Sequence, residues 1–241
     1  MTDGESAAAE TDRREREESQ SLALRVTDLG VSYGHVAAVH SVSFTIGEGE
    51  CIAIVGPNGN GKSSVVMGVA GLVARRGRVE IFGRAAPSAN VMFMAQHGLT
   101  LVPERRQLYP RLSVADNIIL GNYSRNRSLR KARRSESYRQ ALELFPELKS
   151  HMTQKAGTLS GGEQQMVAIA RGLAADPRIL AVDEPCLGLA EAVSRRVYDA
   201  LAGIHAQGRT LLIVEEAPAR ALELATRQVE IRNGVVVGGA S

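Results

Sequence analysis

An apolar run, Ile52-Ala53-Ile54-Val55, leads into nine residues, Gly56-Pro57-Asn58-Gly59-Asn60-Gly61-Lys62-Ser63-Ser64, and a stretch of helical character follows from Ser63 to Val73. The nine satisfy the spacing G-x-x-x-x-G-K-[ST]. The pattern demands a buried strand, a tight loop and a helix starting where the loop ends. In such a loop the backbone N–H groups converge on phosphate oxygens, and the helix N-terminus adds partial positive charge. Gly59 and Gly61 allow positive φ and close backbone approach. Lys62 offers an ammonium to β- and γ-phosphates, and Ser63 offers a hydroxyl to Mg²⁺. A glycine-rich turn with a chance lysine is the competing reading, and the flanking strand and helix argue against it.

The chain has 241 residues, which suits one domain with room for a subdomain. Hydrophobic residues make up 44%, enough for a sizeable core, and the near-absence of aromatics (4%) suits an aliphatic α/β interior. The net charge of +3 is too mild to argue for nucleic acid. Cys51 and Cys186 each adjoin apolar runs and read as small core residues, not as a disulfide or metal site. No basic-then-apolar leader is seen, and no run of about 18 apolar residues exists to span a membrane. A cytosolic protein is the expectation.

Residues 1–20 lack hydrophobic period and are expected to be a disordered tail. Residues 21–241 are expected to form the nucleotide-binding domain, with a helical subdomain over about 105–157. Leu22 to Val26 and Val42 to Ile46 alternate as strands do. Arg78 to Phe82 reads as another. Ile179-Leu180-Ala181-Val182 and Thr210 to Val214 are continuous apolar runs, as central parallel strands require. A helix is expected over Gln164 to Ala175, and a closing hairpin around Asn233-Gly234. Arg125, Arg127, Arg130, Lys131, Arg133 and Arg134 form a basic cluster, read as a solvated helix face ahead of a patch for a partner or anionic lipid. No internal repeat is found.

Phosphate loops serve several enzyme classes, so other segments must decide. Leu159-Ser160-Gly161-Gly162-Glu163-Gln164-Gln165 precedes Ile179 to Val182, a strand ending in Asp183-Glu184-Pro185. With the loop upstream, Asp183 can hold Mg²⁺ through water, and Glu184 can polarise the water attacking the γ-phosphate. Ser160 and Gly162 open a helix whose N–H groups face an anion. This order resembles the ATP-binding cassette (ABC) ATPases. Within them the chain is similar to the ATP-binding subunits of bacterial branched-chain amino-acid importers of the LivF type. That closer likeness rests on Val102-Pro103-Glu104, Tyr109 to Val114, Gly162 to Met166, Asp183 to Ala190 and Val214-Glu215-Glu216.

The resemblance implies an α/β P-loop ATPase fold with an antiparallel β subdomain, and ATP with Mg²⁺ as ligands. Glu184 and Lys62 would be catalytic, and Ser63, Glu104 and Asp183 would lie at the metal. Tyr33 would stack on adenine, a core tyrosine being the alternative. Ser160, Gly162 and Glu163 would contact the γ-phosphate held by a second ATP-binding subunit, identical or related. Two integral membrane permease subunits would carry the pathway, with an extracytoplasmic solute-binding protein acting through them and no nucleic acid involved. The chain would sit peripherally on the cytoplasmic face of the membrane. Urea, amides or an exported compound are alternative cargoes, and a low-turnover regulatory subunit is an alternative role. Three positions depart from the usual pattern: Glu104 for glutamine, Glu216 for histidine, and Ala190 for aspartate. Glu216 would repel the γ-phosphate unless turned away or protonated. Relatives of this type also tend to continue past the position of Ser241.

Overall fold

The structure, a computed structural model, describes residues 22–126, 128–216 and 219–239. The expected disordered tail, 1–20, lies outside the described residues, as do Arg127 and the side chain of Arg125. Among the described residues ten strands form one sheet in the order β5-β4-β1-β2-β10-β9-β3-β8-β7-β6. They are β1 (Leu22–Tyr33), β2 (Val36–Gly47), β3 (Cys51–Val55), β4 (Arg75–Ile81), β5 (Arg84–Ala85), β6 (Leu99–Val102), β7 (Ile179–Asp183), β8 (Thr210–Glu215), β9 (Arg227–Arg232) and β10 (Val235–Gly238). Strands β9, β3, β8, β7 and β6 are parallel, while β1 pairs antiparallel with both β2 and β4.

Both faces of the parallel strands are covered, which explains their unbroken apolar runs. Ile52 and Ile54 of β3 join Leu212, Val214, Ile179 and Ala181 on one face. There they meet Val65, Val66 and Val69 of α1 (Lys62–Val69), with Leu24, Val26 and Leu29 of β1 beyond. Helix α1 thus fills the space between the parallel strands and the antiparallel layer. Cys51, Ala53, Leu180, Val182, Leu211 and Ile213 face the other way. Against them pack α3 (Val114–Asn126), α5 (Glu136–Leu144), α6 (Gly161–Ala174) and α7 (Glu191–Ala206). Among the described residues the shorter α-helices are α2 (Val91–Gln96), α4 (Leu129–Ala132) and α8 (Ala219–Leu224). Among the described residues no helix is long and apolar enough to cross a membrane.

Three local expectations shift. Helix α1 ends at Val69 rather than Val73, because the chain reverses at Gly71 (φ 73°), pressed against the backbone of Asn90. Helix α6 starts at Gly161, three residues before the expected Gln164, since Ser160 caps it. Strands β1 and β2 are each 12 residues, more than twice the alternating segments seen in sequence. Register shifts at Val26/Leu29 and Leu29/Val31 break the period of two that would have revealed their length. The hairpin at Asn233-Gly234 forms as expected, both residues having positive φ (48° and 71°).

Candidate functional site

The loop from Gly56 to Gly61 joins β3 to α1 at the carboxyl ends of the parallel strands, where ligands of open α/β sheets bind. Gly59 and Gly61 have φ of 78° and 97°. A Cβ on Gly61 would also lie 2.4 Å from the carbonyl oxygen of Ala38, so no larger residue fits. The turn between β9 and β10 braces the loop from outside. Asn233 N–H donates to Asn60 Oδ1 at 2.8 Å, and Gly234 N–H donates to Asn60 O at 3.0 Å. Helix α1 has no side-chain cap and no acid in its first turn. Its first N–H groups are thus left to an external acceptor, and the helix dipole favours an anion.

Lys62 and Glu184 are both buried, with Nζ 3.3 Å from Oε1. The ammonium also donates to Pro57 O and Asn58 Oδ1, each at 3.3 Å. Glu184 takes a left-handed backbone conformation (φ 48°) just past β7, a strain that side-chain position must justify. Ser63 Oγ donates to Asp183 Oδ1 at 3.2 Å. Burial pushes Asp183 up to about 6; the Ser63 hydrogen bond opposes this, and the charges of Glu184 and Glu104 add to it. A hydroxyl and a buried carboxylate are hard oxygen donors of the kind Mg²⁺ takes alongside phosphate oxygens. The donor set therefore fits that ion. Glu104 stands exposed just beyond β6, near enough for Asp183 to sense its charge.

The parallel register of β3 and β8 pairs Val55 with Glu215, which brings the end of β8 beside the phosphate loop. Glu215 is buried, accepts from Tyr198 Oη at 2.8 Å, and is pushed up to about 7, chiefly by burial. Glu216 is exposed and turns onto the loop: Asn58 donates to it from its backbone N–H at 3.3 Å and from Nδ2 at 2.5 Å. Glu216 N–H in turn reaches Glu184 Oε2 at 3.4 Å. Neither Tyr198 nor the Asn58–Glu216 bridge was anticipated from sequence. The apolar run before Glu215 could have flagged a buried acid; the bridge has no local signal.

Ser160, Gly162 and Glu163 form the start of α6. Ser160 and Glu163 make a reciprocal capping box: Glu163 N–H donates to Ser160 Oγ at 3.3 Å, and Ser160 N–H donates to Glu163 Oε2 at 2.8 Å. Ser160 Oγ also reaches Glu163 Oε2 at 2.8 Å, and these bonds hold Glu163 below the usual carboxylate range. Among the described residues no hydrogen bond or ion pair joins 160–163 to the loop 56–64 of the same chain. Tyr33 ends β1 with 45% of its surface exposed, which removes the core-tyrosine alternative. Cys51 is buried, Cys186 half-buried, and neither forms a disulfide.

Comparison with known proteins places relatives beside this geometry. The family profile described as ABC transporter matches residues 39–187. A high-affinity branched-chain amino acid transport ATP-binding protein, BraG of Pseudomonas aeruginosa, is 35% identical over 209 residues, covering 85% of this chain and 87% of its own. The Nod factor export ATP-binding protein I of Rhizobium etli is 29% identical over 223 residues, covering 92% and 69%. Among solved structures, a dimeric ATP-binding cassette in a post-hydrolysis state bound to ADP and Pi superposes with a TM-score of 0.77 at 25% identity, covering 90% of this chain and 97% of that one.

Proposed function

The chain belongs to the ABC transporter family as an ATP-binding subunit that hydrolyses ATP, and from that premise we propose that it energises import of branched-chain amino acids through partner membrane proteins. The observation that carries the catalytic part is the Lys62–Glu184 pair, set between the phosphate loop and the end of β7. Triphosphate oxygens entering the loop would compete for the Lys62 ammonium. Glu184 would then lose its counter-charge and become a better base toward a water aligned on the γ-phosphate. The water oxygen bonds to the γ-phosphorus as its proton passes to Glu184 and the bond from the β–γ bridging oxygen breaks, and ADP and phosphate leave. Ser63 and Asp183, with Glu104 close by, would hold Mg²⁺, which supplies charge neutralisation on the phosphates. Tyr33, exposed beside this end of the sheet, is the candidate adenine platform.

The turn at Ser160–Glu163 would complete the nucleotide site of a second subunit, a reading supported by the dimeric state of the ADP-bound relative. ATP would close such a pair and hydrolysis would reopen it. This drives transport only if ATP favours the closed state strongly, since equal affinity shifts nothing. Two permease subunits on the membrane, with a solute-binding protein outside, would complete an importer, and this chain would lie on the cytoplasmic face. The candidate permease contact is the segment from Glu104 to Arg111. It borders a cleft of about 350 Å³ lined by Ala95, Gln107, Tyr109, Leu120 and Arg171. Buried Asn117 shapes this segment, accepting from Tyr109 N–H and donating to Tyr109 O.

The importer reading leans on the likeness to BraG. It is tested by uptake of labelled leucine, isoleucine and valine in cells carrying Lys62→Ala. Loss of all three uptakes is expected; intact uptake overturns the assignment. A low-turnover regulatory role is favoured by one feature, the Glu216 carboxylate seated on Asn58. Turnover of the purified complex that survives Glu184→Gln would select that role.

A further inference from the structure

The turn at Ser160–Glu163 already carries a negative charge. Glu163 accepts from both Ser160 N–H and Ser160 Oγ. The other oxygen, Oε1, lies 3.3 Å from His151 Nε2; an anion arriving at the turn still meets this carboxylate, so a further fixed cation would favour its binding. The structure places one beside it. A Cβ built on Gly161 would lie 3.7 Å from both Nη1 and Nη2 of Arg106. Arg106 Nε donates to Gln165 Oε1 at 3.0 Å, while Nη1 and Nη2 have no hydrogen-bond or ion-pair partner among the described residues. Gln165 is 1% exposed, and its Nε2 is a buried donor without an acceptor. Arg106 is half-exposed, so its Nη1 and Nη2 stand open to an incoming anion, while the buried Nε2 of Gln165 behind them lacks an acceptor, at a cost in free energy.

The backbone is held to this purpose. Arg106 and Gln107 both have positive φ (57° and 46°), a strained pair. Arg171 of α6 clamps them, donating to Arg106 O at 2.6 Å and Gln107 O at 2.7 Å. We propose that Arg106 is an anion-binding residue of the composite site, its guanidinium fork joining Ser160 and the N–H groups of Gly161 and Gly162 on the terminal phosphate of a nucleoside triphosphate held by a second subunit. This rests on the two-subunit reading above. A guanidinium suits the task because its fork matches two phosphate oxygens and it stays charged throughout.

The test uses the full chain carrying Glu184→Gln, so that ATP is not consumed, and follows self-association by sedimentation with ATP and with ADP. ATP should pair the parent chain. Adding Arg106→Gln should weaken that pairing at least tenfold, Arg106→Lys should recover part of it, and ATP affinity of the dilute single chain should stay within about twofold. Thermal unfolding of each variant checks the fold. Pairing that Arg106→Gln leaves intact overturns the role of Arg106 alone, and so does equal loss of ATP and ADP affinity in the single chain. A parent that never pairs with ATP overturns the two-copy site and Arg106 with it. If pairing is intact and only assembly with permease is lost, Arg106 serves a protein carboxylate and the proposal falls.

Discussion

Asn58, inside the phosphate loop, donates two hydrogen bonds to the Glu216 carboxylate, at 3.3 Å from its backbone N and 2.5 Å from Nδ2. A carboxylate thus holds loop donors that a phosphate would use. Displacing it costs the bonds, and leaving it nearby costs repulsion between like charges. Glu216→Gln keeps the side-chain shape and removes the charge. ATP turnover of the assembled complex should rise on the order of fivefold, as about 1 kcal/mol of screened repulsion is relieved. Steady-state hydrolysis measures this, and unchanged or lower turnover removes the inhibitory reading.

Glu184→Gln separates chemistry from binding. Loss of the base should cut turnover by about 10²–10⁴-fold. The same change strips buried Lys62 of its counter-charge. The ligand-free chain should therefore melt at a lower temperature, because an uncompensated buried charge is costly. MgATP should restore more stability to this variant than to the parent. A melting series with and without nucleotide checks the pair; equal shifts in both proteins would show that Lys62 does not exchange Glu184 for phosphate.

The phosphate loop was legible because its chemistry is local: nine consecutive residues set both the turn and the ligand. The acidic pair was legible for the same reason, at the end of a run too apolar to be anything but a central strand. The contacts that tune the site were not. Asn58 and Glu216 are 158 residues apart and meet only through the parallel register of β3 and β8. Arg106 and Gln165, 59 apart, meet because Arg171 bends the intervening backbone onto α6. Neither Gln165 nor Tyr198 advertises its partner in sequence, since each sits in an ordinary amphipathic helix. The length of β1 was hidden by its irregular register, which places two successive exposed polar residues, Thr27 and Asp28, where alternation is expected.

Ala190, which stands where the resembled family usually has aspartate, has a direct structural consequence. It occupies the N-cap of α7 with extended backbone (φ −65°, ψ 149°) and gives that 16-residue helix no side-chain cap. The residue is exposed, so a carboxylate fits without crowding. Ala190→Asp should stabilise the chain by about 1 kcal/mol, the usual worth of an N-cap. Chemical denaturation gives the value, and no gain would show that the first turn of α7 is already satisfied by solvent.

Burial of Glu215 makes stability depend on pH in a definite direction. Its carboxyl is pushed from 4.5 to about 7, with desolvation the largest cause and the Tyr198 hydroxyl opposing it. Between those values the folded chain binds more protons than the unfolded chain. The contribution is present in full below pH 4.5 and is lost as pH rises through about 7. Asp183, raised from 3.8 to about 6, acts in the same sense at lower pH. Glu215→Gln removes the first contribution while keeping an acceptor for Tyr198. Relative to the parent, this variant should gain about 1–3 kcal/mol at pH 8 over its standing at pH 5. Tyr198→Phe should do the reverse, since it deletes the donor that favours the ionised form. Urea midpoints at both pH values test the pair; parallel pH profiles for all three proteins would mean that Glu215 titrates normally in the folded chain.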